Sequence, residues 1–239
     1  MLEQRSLQAA THVLAANESH RAVALERARL SPGAVTVVRN GPPAADLRAP
    51  AGNGGSLSEP ALVFVGSMAE QDGVVELPEI LRELEARHGV RGRLLAVGEG
   101  PSRAALAERC RELGLEGRVE LPGRLPHDEV PARLAEADIC VDPAPCSALN
   151  HRSTMVKIAE YLAAARPVVA YRLRETEHTA GDAAAFAECG DRGAFVDAIA
   201  RLAGDGAERE RLAELGRLRA DELTWERSEQ ALLNVYSRL

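Results

Sequence analysis

The chain has 239 residues, of which 46% are hydrophobic and 27% charged, a composition that is ordinary for a soluble globular protein. The net charge of -7 and the 3% of aromatic residues argue against a nucleic-acid partner, which needs basic surface or stacking rings. No apolar run approaches the roughly 20 residues of a membrane span, and Met1 is followed by polar residues rather than a secretory signal. We therefore expect a cytoplasmic protein without a transmembrane segment. Peripheral attachment at the inner membrane face is left open.

Apolar residues near helical spacing predict helices within 3–29, interrupted at Asn17-Glu18-Ser19, with Ser19 as the expected cap of the second helix. A short strand is predicted at 35–38. Forty residues are too few to bury a core of their own, so we expect 1–42 to be a helical remnant of a larger domain. The stretch 43–60 is rich in Pro, Gly, Ala and Ser, which is typical of a linker.

From residue 61 onward, short apolar runs alternate with amphipathic helices. Strands are predicted at 61–65, 93–97, 118–121, 138–142, 167–171 and 184–187. This alternation predicts an α/β fold, a doubly wound parallel sheet of the Rossmann-like type, over residues 61–222. Ligands of such sheets bind at the carboxyl ends of the strands. A last amphipathic helix is predicted within 223–239.

Four cysteines occur without a CxxC pair and without the spacing of a metal site: Cys110, Cys140, Cys146 and Cys189. Cys110 falls in a predicted helix and Cys140 in a predicted strand. We expect free buried thiols and no metal.

A polar loop at 147–152 leads into a predicted helix that begins with Ser153 and Thr154 and ends near Ala165. Hydroxyl side chains suit a helix N-cap, and free amides with the helix dipole favour an anion there. Lys157 is the only lysine among 29 Lys+Arg. A functional ammonium and a chance occurrence on a solvated helix face are both compatible with this. Glu160 lies three residues further on the same face.

Two glycine turns, at 66–68 and 98–101, each follow a predicted strand and precede a predicted helix. Neither is a G-x-G-x-x-G or a P-loop motif, so binding of nicotinamide dinucleotides and hydrolysis of ATP lose support. Each turn is either a tight connection or a phosphate cradle.

Taken in order, the motifs VRNGP, FVGSMAEQDGV, VGEGP, LPGRLP, LAEADICVDP, STMVKIAEYLA-x-x-RPVVAY and AGDAA resemble the carboxyl-terminal half of family-4 retaining glycosyltransferases. The resemblance covers nearly the whole chain and is strongest to bacterial members that build cell-surface or exported polysaccharide. It implies a GT-B architecture, in which two Rossmann-like domains face each other and the carboxyl-terminal one holds the donor. It also implies metal-independent, retaining hexosyl transfer from a UDP- or GDP-linked sugar to a glycan or lipid-linked acceptor, without a cofactor.

The resemblance assigns roles to individual residues. Glu160 matches a glutamate that binds the ribose hydroxyls, and Arg152 matches the loop that approaches the diphosphate. Together with Lys157 these are the catalytic candidates. The nucleotide-binding candidates lie in the glycine loops and at the helix start: Gly66, Ser67, Gly98, Gly100, Gly123, Arg124, Ser153, Thr154 and Met155.

The chain also departs from the family's pattern. Arg152 stands where a first glutamate is frequent, and His151 stands where a related subfamily has aspartate. Asp72 stands where many members have a cation, and a carboxylate there is expected to repel a phosphate. We expect Lys157 and Arg152 to replace the missing cations. Ala165 stands where a helix-ending glycine is usual, and a positive φ there would strain alanine by about 1 kcal/mol.

Three hypotheses remain open. In the first, the chain is the donor-binding half of a sugar transferase and is active only with its acceptor domain, which is a separate chain or has been deleted. Residues 223–239 are expected to pack toward that amino-terminal domain. Alternatively it is a truncated, non-catalytic nucleotide-sugar-binding or interaction module. A separate amino-terminal domain and a second copy of the chain are both open as partners. A nucleotide-sugar epimerase of the same fold is the weakest hypothesis.

Overall fold

A computed structural model describes residues 2–46, 48 and 55–239. Its main feature, within the described residues, is a six-stranded parallel sheet. The strands are β3 (Ala61–Val65), β4 (Arg93–Val97), β5 (Val119–Gly123), β6 (Ile139–Asp142), β7 (Val168–Tyr171) and β8 (Ala184–Ala187). Their order is β5-β4-β3-β6-β7-β8. The strand pattern predicted from the sequence is confirmed, because central parallel strands are buried on both faces and leave clear apolar runs.

Helices cover both faces of this sheet. They are α3 (Leu77–His88), α4 (Arg103–Glu112), α5 (Val130–Ala135), α6 (Val156–Ala163), α7 (Arg174–Ala180), α8 (Arg192–Gly204) and α9 (Gly206–Glu222). Side chains of α3, α4 and α8 pack on one face, and those of α5, α6 and α7 on the other. The predicted doubly wound α/β fold is thus confirmed.

The direction of winding reverses between β3 and β6. From β3 the chain proceeds outward through β4 to β5, and it then returns to β6 on the other side of β3. The carboxyl ends of β3 and β6 therefore border a topological switch point, where ligands of open α/β sheets bind.

The N-terminal residues form more structure than a helical remnant. After α1 (Leu2–Ala9) come β1 (Val13–Ala15), α2 (Glu18–Ala28) and β2 (Val35–Val37), and β1 pairs in parallel with β2. We call residues 13–37 the N-terminal unit. The prediction of helix at Val13 is wrong, because the strand is set by its pairing with β2 rather than by local periodicity. The prediction of Ser19 as the cap is also wrong: Asn17 caps α2.

The last helix, α10 (Trp225–Tyr236), contacts β2. Its first residue donates a backbone hydrogen bond to Pro42 (Trp225 N to Pro42 O, 3.0 Å). A Cβ at Gly41 would lie 1.8 Å from the Leu223 carbonyl oxygen, so the two segments touch through their backbones. Much of the predicted linker, residues 47 and 49–54, lies outside the described residues.

Every helix within the described ranges is too short or too polar to cross a lipid bilayer.

Candidate functional site

The loops after β3, β4 and β5 are joined edge to edge at the carboxyl side of the sheet. Gly66 N donates to Val97 O (3.0 Å), and Gly98 N donates to Gly123 O (2.9 Å), so the parallel ladder continues beyond the strands. An open pocket of about 310 Å³ lies against these loops. It brings together four of the predicted binding residues: Gly66, Ser67, Gly98 and Arg124. Gly100 and Gly123 do not line it.

Backbone packing alone accounts for two of these glycines. A Cβ at Gly98 would lie 1.8 Å from Gly66 O, and a Cβ at Gly100 would lie 2.5 Å from Met68 O. Both distances are far inside van der Waals contact, so no other residue fits without moving the neighbouring loop. For Gly98 and Gly100, the tight connection is therefore sufficient to explain the residue type.

Lys157 lies beneath the loop that follows β3. Its Nζ donates to Asp72 Oδ1 (2.8 Å) and to Asp142 Oδ1 (3.3 Å), and it lies 4.6 Å from the centre of the Phe64 ring. All three charged side chains are buried. We expected the Asp72 carboxylate to repel a phosphate. In the structure this carboxylate faces Lys157 and is paired with its ammonium, which the expectation did not include. The ammonium is thus shared by two carboxylates.

Burial and charge compete within this cluster. Burial raises the pKa of Asp142, and the ammonium of Lys157 only partly opposes this. Burial lowers the pKa of Lys157, but Asp142 and Asp72 more than offset that effect and raise it above its ordinary value. Asp142 Oδ2 is buried without a hydrogen-bond partner among the described residues. Two carboxylates against one ammonium leave the site with no surplus positive charge from Lys157.

The start of α6 differs from the prediction. The helix begins at Val156, and Ser153 has an extended backbone (φ -89°, ψ 131°). The hydroxyl groups of the predicted cap are used elsewhere: Ser153 Oγ donates to Leu149 O (2.9 Å), and Thr154 Oγ1 accepts from Asn17 Nδ2 (2.9 Å). Within the described residues no side chain caps α6. Residues 153–155 therefore form an open turn that leads into the helix.

Two asparagines that sequence reasoning did not select hold this turn. Asn150 Nδ2 donates to Gln71 O (2.9 Å) and to Pro145 O (2.7 Å), which joins the loop after β3 to the loop after β6. Asn17 Nδ2 donates to Arg152 O (2.8 Å) from the N-terminal unit. Asn17 before Glu-Ser is recognisable as a helix cap in the sequence. Nothing in the sequence indicates its contact with a loop 135 residues away.

Glu160 lies in a second pocket, of about 80 Å³, which it lines with His127 and with the segment that follows β2. Burial is the main cause that raises the pKa of Glu160 above that of an ordinary glutamate, and His127 partly opposes it. Val130 lines both pockets, so the Glu160 pocket adjoins the glycine-loop pocket. Arg152 and Arg124 are exposed and have no acidic partner in the part of the chain that the structure describes.

The cysteines only partly follow the prediction. Cys110 and Cys140 are free and buried as expected, and burial raises the pKa of both thiols, which makes them poor nucleophiles. Cys146 and Cys189, 43 residues apart, are joined in a disulfide with a Cα–Cα distance of 5.6 Å. The expectation of free thiols is wrong for this pair. His151, close to both sulfurs, accepts a bond from Arg174 N through Nδ1 (3.3 Å).

Three curated proteins from Streptomyces are similar to this chain. A 2-deoxystreptamine N-acetyl-D-glucosaminyltransferase of Streptomyces fradiae is 30% identical over 158 residues, which cover 64% of this chain and 35% of that protein. A 2-deoxystreptamine glucosyltransferase of Streptomyces kanamyceticus is 33% identical over 112 residues (47% and 27%). An alpha-D-kanosaminyltransferase of the same species is 29% identical over 164 residues (65% and 39%). The chain thus spans between 27% and 39% of the length of these relatives.

Solved structures share the fold at low sequence identity. The Staphylococcus aureus TarM G117R mutant, in complex with fondaparinux, alpha-GlcNAc-glycerol and UDP, has a TM-score of 0.79 at 15% identity. That match covers 98% of this chain and 45% of TarM. Sucrose-phosphate synthase from Thermosynechococcus elongatus has a TM-score of 0.76 at 22% identity, and the match covers 100% of this chain and 60% of the synthase. Anabaena HepE, in complex with UDP and glucose, has a TM-score of 0.77 at 16% identity, and the match covers 99% of this chain and 67% of HepE. These neighbours are GT-B glycosyltransferases.

The family itself is shown by the sequence. The model of the family described as glycosyl transferases group 1 matches residues 59–205, which include the six-stranded sheet, the glycine-loop pocket, Glu160 and the Lys157 cluster. This chain belongs to the group 1 glycosyl transferases.

Proposed function

We propose that this chain binds a nucleoside diphosphate sugar and supplies the donor-binding part of a retaining, metal-independent glycosyltransferase of family 4. The observation that carries the proposal is the half-buried Glu160 carboxylate, in a pocket that adjoins the glycine loops at the switch point of the sheet. A carboxylate accepts hydrogen bonds from two vicinal hydroxyl groups, which is the chemistry that a ribose requires.

The remaining parts of the donor have candidate partners on either side of Glu160. The base is proposed to lie near Gly123 and Arg124. The diphosphate is proposed to face the turn 153–155. The amide of Ser153 donates to Asn150 O (3.2 Å), so the amides of the first turn of α6 and the helix dipole are the groups that favour an anion there.

The charge for the diphosphate is proposed to come from exposed arginines. Arg152, at the turn, and Arg124, in the glycine-loop pocket, carry guanidinium groups that suit phosphate oxygens. Lys157 stays a candidate because its Cε lies 3.0 Å from where a Cβ of Gly66 would be, directly under the loop. A phosphate there has to compete with Asp72 and Asp142 for the ammonium.

A glycan or lipid-linked acceptor is proposed from the polysaccharide-building enzymes that the motifs resemble. Two of the curated relatives are named for 2-deoxystreptamine, so aminocyclitols belong in an acceptor panel.

Binding calorimetry tests the proposal. The wild-type chain is titrated with UDP, GDP and their glucose, N-acetylglucosamine and mannose conjugates. We expect binding of one nucleotide series, and a loss of about tenfold or more for Glu160→Ala, because a charged hydrogen bond is worth about 1.5–3 kcal/mol. Glu229→Gln, an exposed change on α10, is the control and should bind as wild type. If no nucleotide binds, or if Glu160→Ala binds as wild type, the proposal fails.

A further inference from the structure

The N-terminal unit is fastened to the start of α6 through one fully buried side chain. Asn17 uses its whole amide: Oδ1 accepts from His20 N (2.7 Å), and Nδ2 donates to Arg152 O (2.8 Å) and to Thr154 Oγ1 (2.9 Å). Its exposed fraction is 0%. The first bond caps α2. The other two bonds leave the N-terminal unit and reach the turn that leads into α6.

A second buried contact keeps the N-terminal unit in place beside this turn. Glu175, on α7, accepts from Ser19 N of the unit through Oε1 (3.0 Å). Its Oε2 accepts from Nη2 of Arg39, two residues beyond the unit (3.3 Å). Glu175 is 2% exposed, and the side chain of Arg39 is 14% exposed. A buried pair of this kind is costly to separate, because either charge would be left without a partner. Asn17 is therefore presented to the turn by a fixed element.

Two other bonds hold Ser153 to its own loop, from Ser153 Oγ to Leu149 O (2.9 Å) and from Ser153 N to Asn150 O (3.2 Å), whereas Asn17 ties the turn to the N-terminal unit. Arg152 itself is exposed, and α6 has no side-chain cap within the described residues. The amide of Asn17 fixes one carbonyl and one hydroxyl on either side of Ser153. Fixing these two points sets the direction in which the backbone amides that follow Ser153 face.

We propose that Asn17 is a positioning residue of the donor site, which holds the turn 153–155 so that the backbone amides that follow Ser153 face the diphosphate of the nucleotide. This inference rests on the proposed function. On this proposal the N-terminal unit contributes to donor binding, in addition to any role on the acceptor side.

Two variants separate this role from the helix cap. Asn17→Ser and Asn17→Asp both keep an oxygen that accepts from the amides of α2, and both residue types are good caps. Both lose the two N–H donors to Arg152 O and Thr154 Oγ1. Serine adds no charge, so it excludes simple repulsion of the ligand by a carboxylate. Asn234→Asp, on exposed α10, is the matched control for the aspartate change.

The test compares nucleoside diphosphates with nucleosides by calorimetry on the full chain. We expect Asn17→Ser to weaken UDP or GDP binding by about tenfold, the effect of one or two lost hydrogen bonds, while uridine or guanosine binding changes less than about twofold. Amide hydrogen exchange at 150–156 should accelerate in the ligand-free variant, with α8 and α9 unchanged. Thr154→Val, which removes one acceptor, should show a smaller effect in the same direction.

Each outcome has a clear meaning. If the wild type binds no nucleoside diphosphate, the proposed function fails. If the wild type binds and Asn17→Ser keeps the wild-type ratio of diphosphate to nucleoside affinity, the positioning role is wrong. A loss seen only with Asn17→Asp overturns it as well, because charge then explains the result. If neither Asn17 variant folds, unchanged binding and exchange in Thr154→Val overturn it.

Discussion

Lys157 has its ammonium between two buried carboxylates, where the sequence alone suggested a free cation for a phosphate. Its pairing with Asp72 and Asp142 ties α6 to the loop after β3 and to the end of β6. The sequence singled out the lysine by its rarity, but its partners lie 85 and 15 residues away. Such distances become visible only when the sheet brings the strand ends together.

The Lys157 cluster carries a prediction about stability. Lys157→Met should lower the free energy of unfolding by about 3–5 kcal/mol, because two carboxylates lose their buried partner. Urea denaturation measures this. Adding Asp142→Asn to Lys157→Met removes one unpaired charge and should restore part of the loss. A loss below about 1 kcal/mol, typical of an exposed pair, would contradict the buried geometry.

The pH dependence of the same variant follows from Asp142. Since the native pKa of Asp142 is raised, the native state holds its proton more tightly than the unfolded state. Its contribution to stability is present at low pH and is lost as pH rises through the native pKa. Loss of the Lys157 charge raises that pKa further. The deficit of Lys157→Met should therefore be larger at pH 8 than at pH 5.

Glu160 leads to a separate prediction for ligand binding. Burial raises its pKa, so the carboxylate that would accept from ribose is lost at a higher pH than for an exposed glutamate. The affinity for a nucleoside, which carries no phosphate to titrate, should fall as pH is lowered through that pKa. Glu160→Gln should bind weakly and show a flat profile over the same range. Parallel profiles for the two proteins would remove Glu160 from the ribose site.

At the scale of elements, the end of α6 supports a sequence-based expectation. Ala165, which stands where a glycine was expected, has φ of 51°. Ala165→Gly should raise the free energy of unfolding by about 0.5–1 kcal/mol, because alanine is strained in the left-handed region. Ala164→Gly is the matched control: with φ of -74° it should destabilise by about 1 kcal/mol instead. Equal effects of the two changes would contradict the backbone assignment.

Other elements show where local pattern fails. β1 has three residues and lies in a stretch with helical spacing, and its strand conformation comes from pairing Val13 with Val35. The disulfide between Cys146 and Cys189 joins the loop after β6 to the end of β8, which no spacing rule indicates. In contrast, the boundaries of β3, β4 and β8 were predicted correctly, because each is a short apolar run between turn residues.

At the scale of the whole molecule, the parallel sheet and its switch point were predictable, since burial on both faces leaves apolar strands between amphipathic helices. The glycine loops were predictable as loops at the carboxyl edge. Whether these loops bind a ligand was not predictable, because the neighbouring backbone requires glycine at Gly98 and Gly100 with or without a ligand. The contact of the N-terminal unit with the turn before α6 was not predicted, because it joins residues separated by more than half the chain.

A crystal structure of the chain with UDP or GDP, whichever binds, tests the central claim most directly. We expect the ribose hydroxyls within hydrogen-bond distance of the Glu160 carboxylate and the diphosphate against the backbone of 153–155. Arg152 should approach the phosphate oxygens, and Lys157 should stay with Asp72 and Asp142. A nucleotide bound away from Glu160, or with its diphosphate on another loop, would contradict the account.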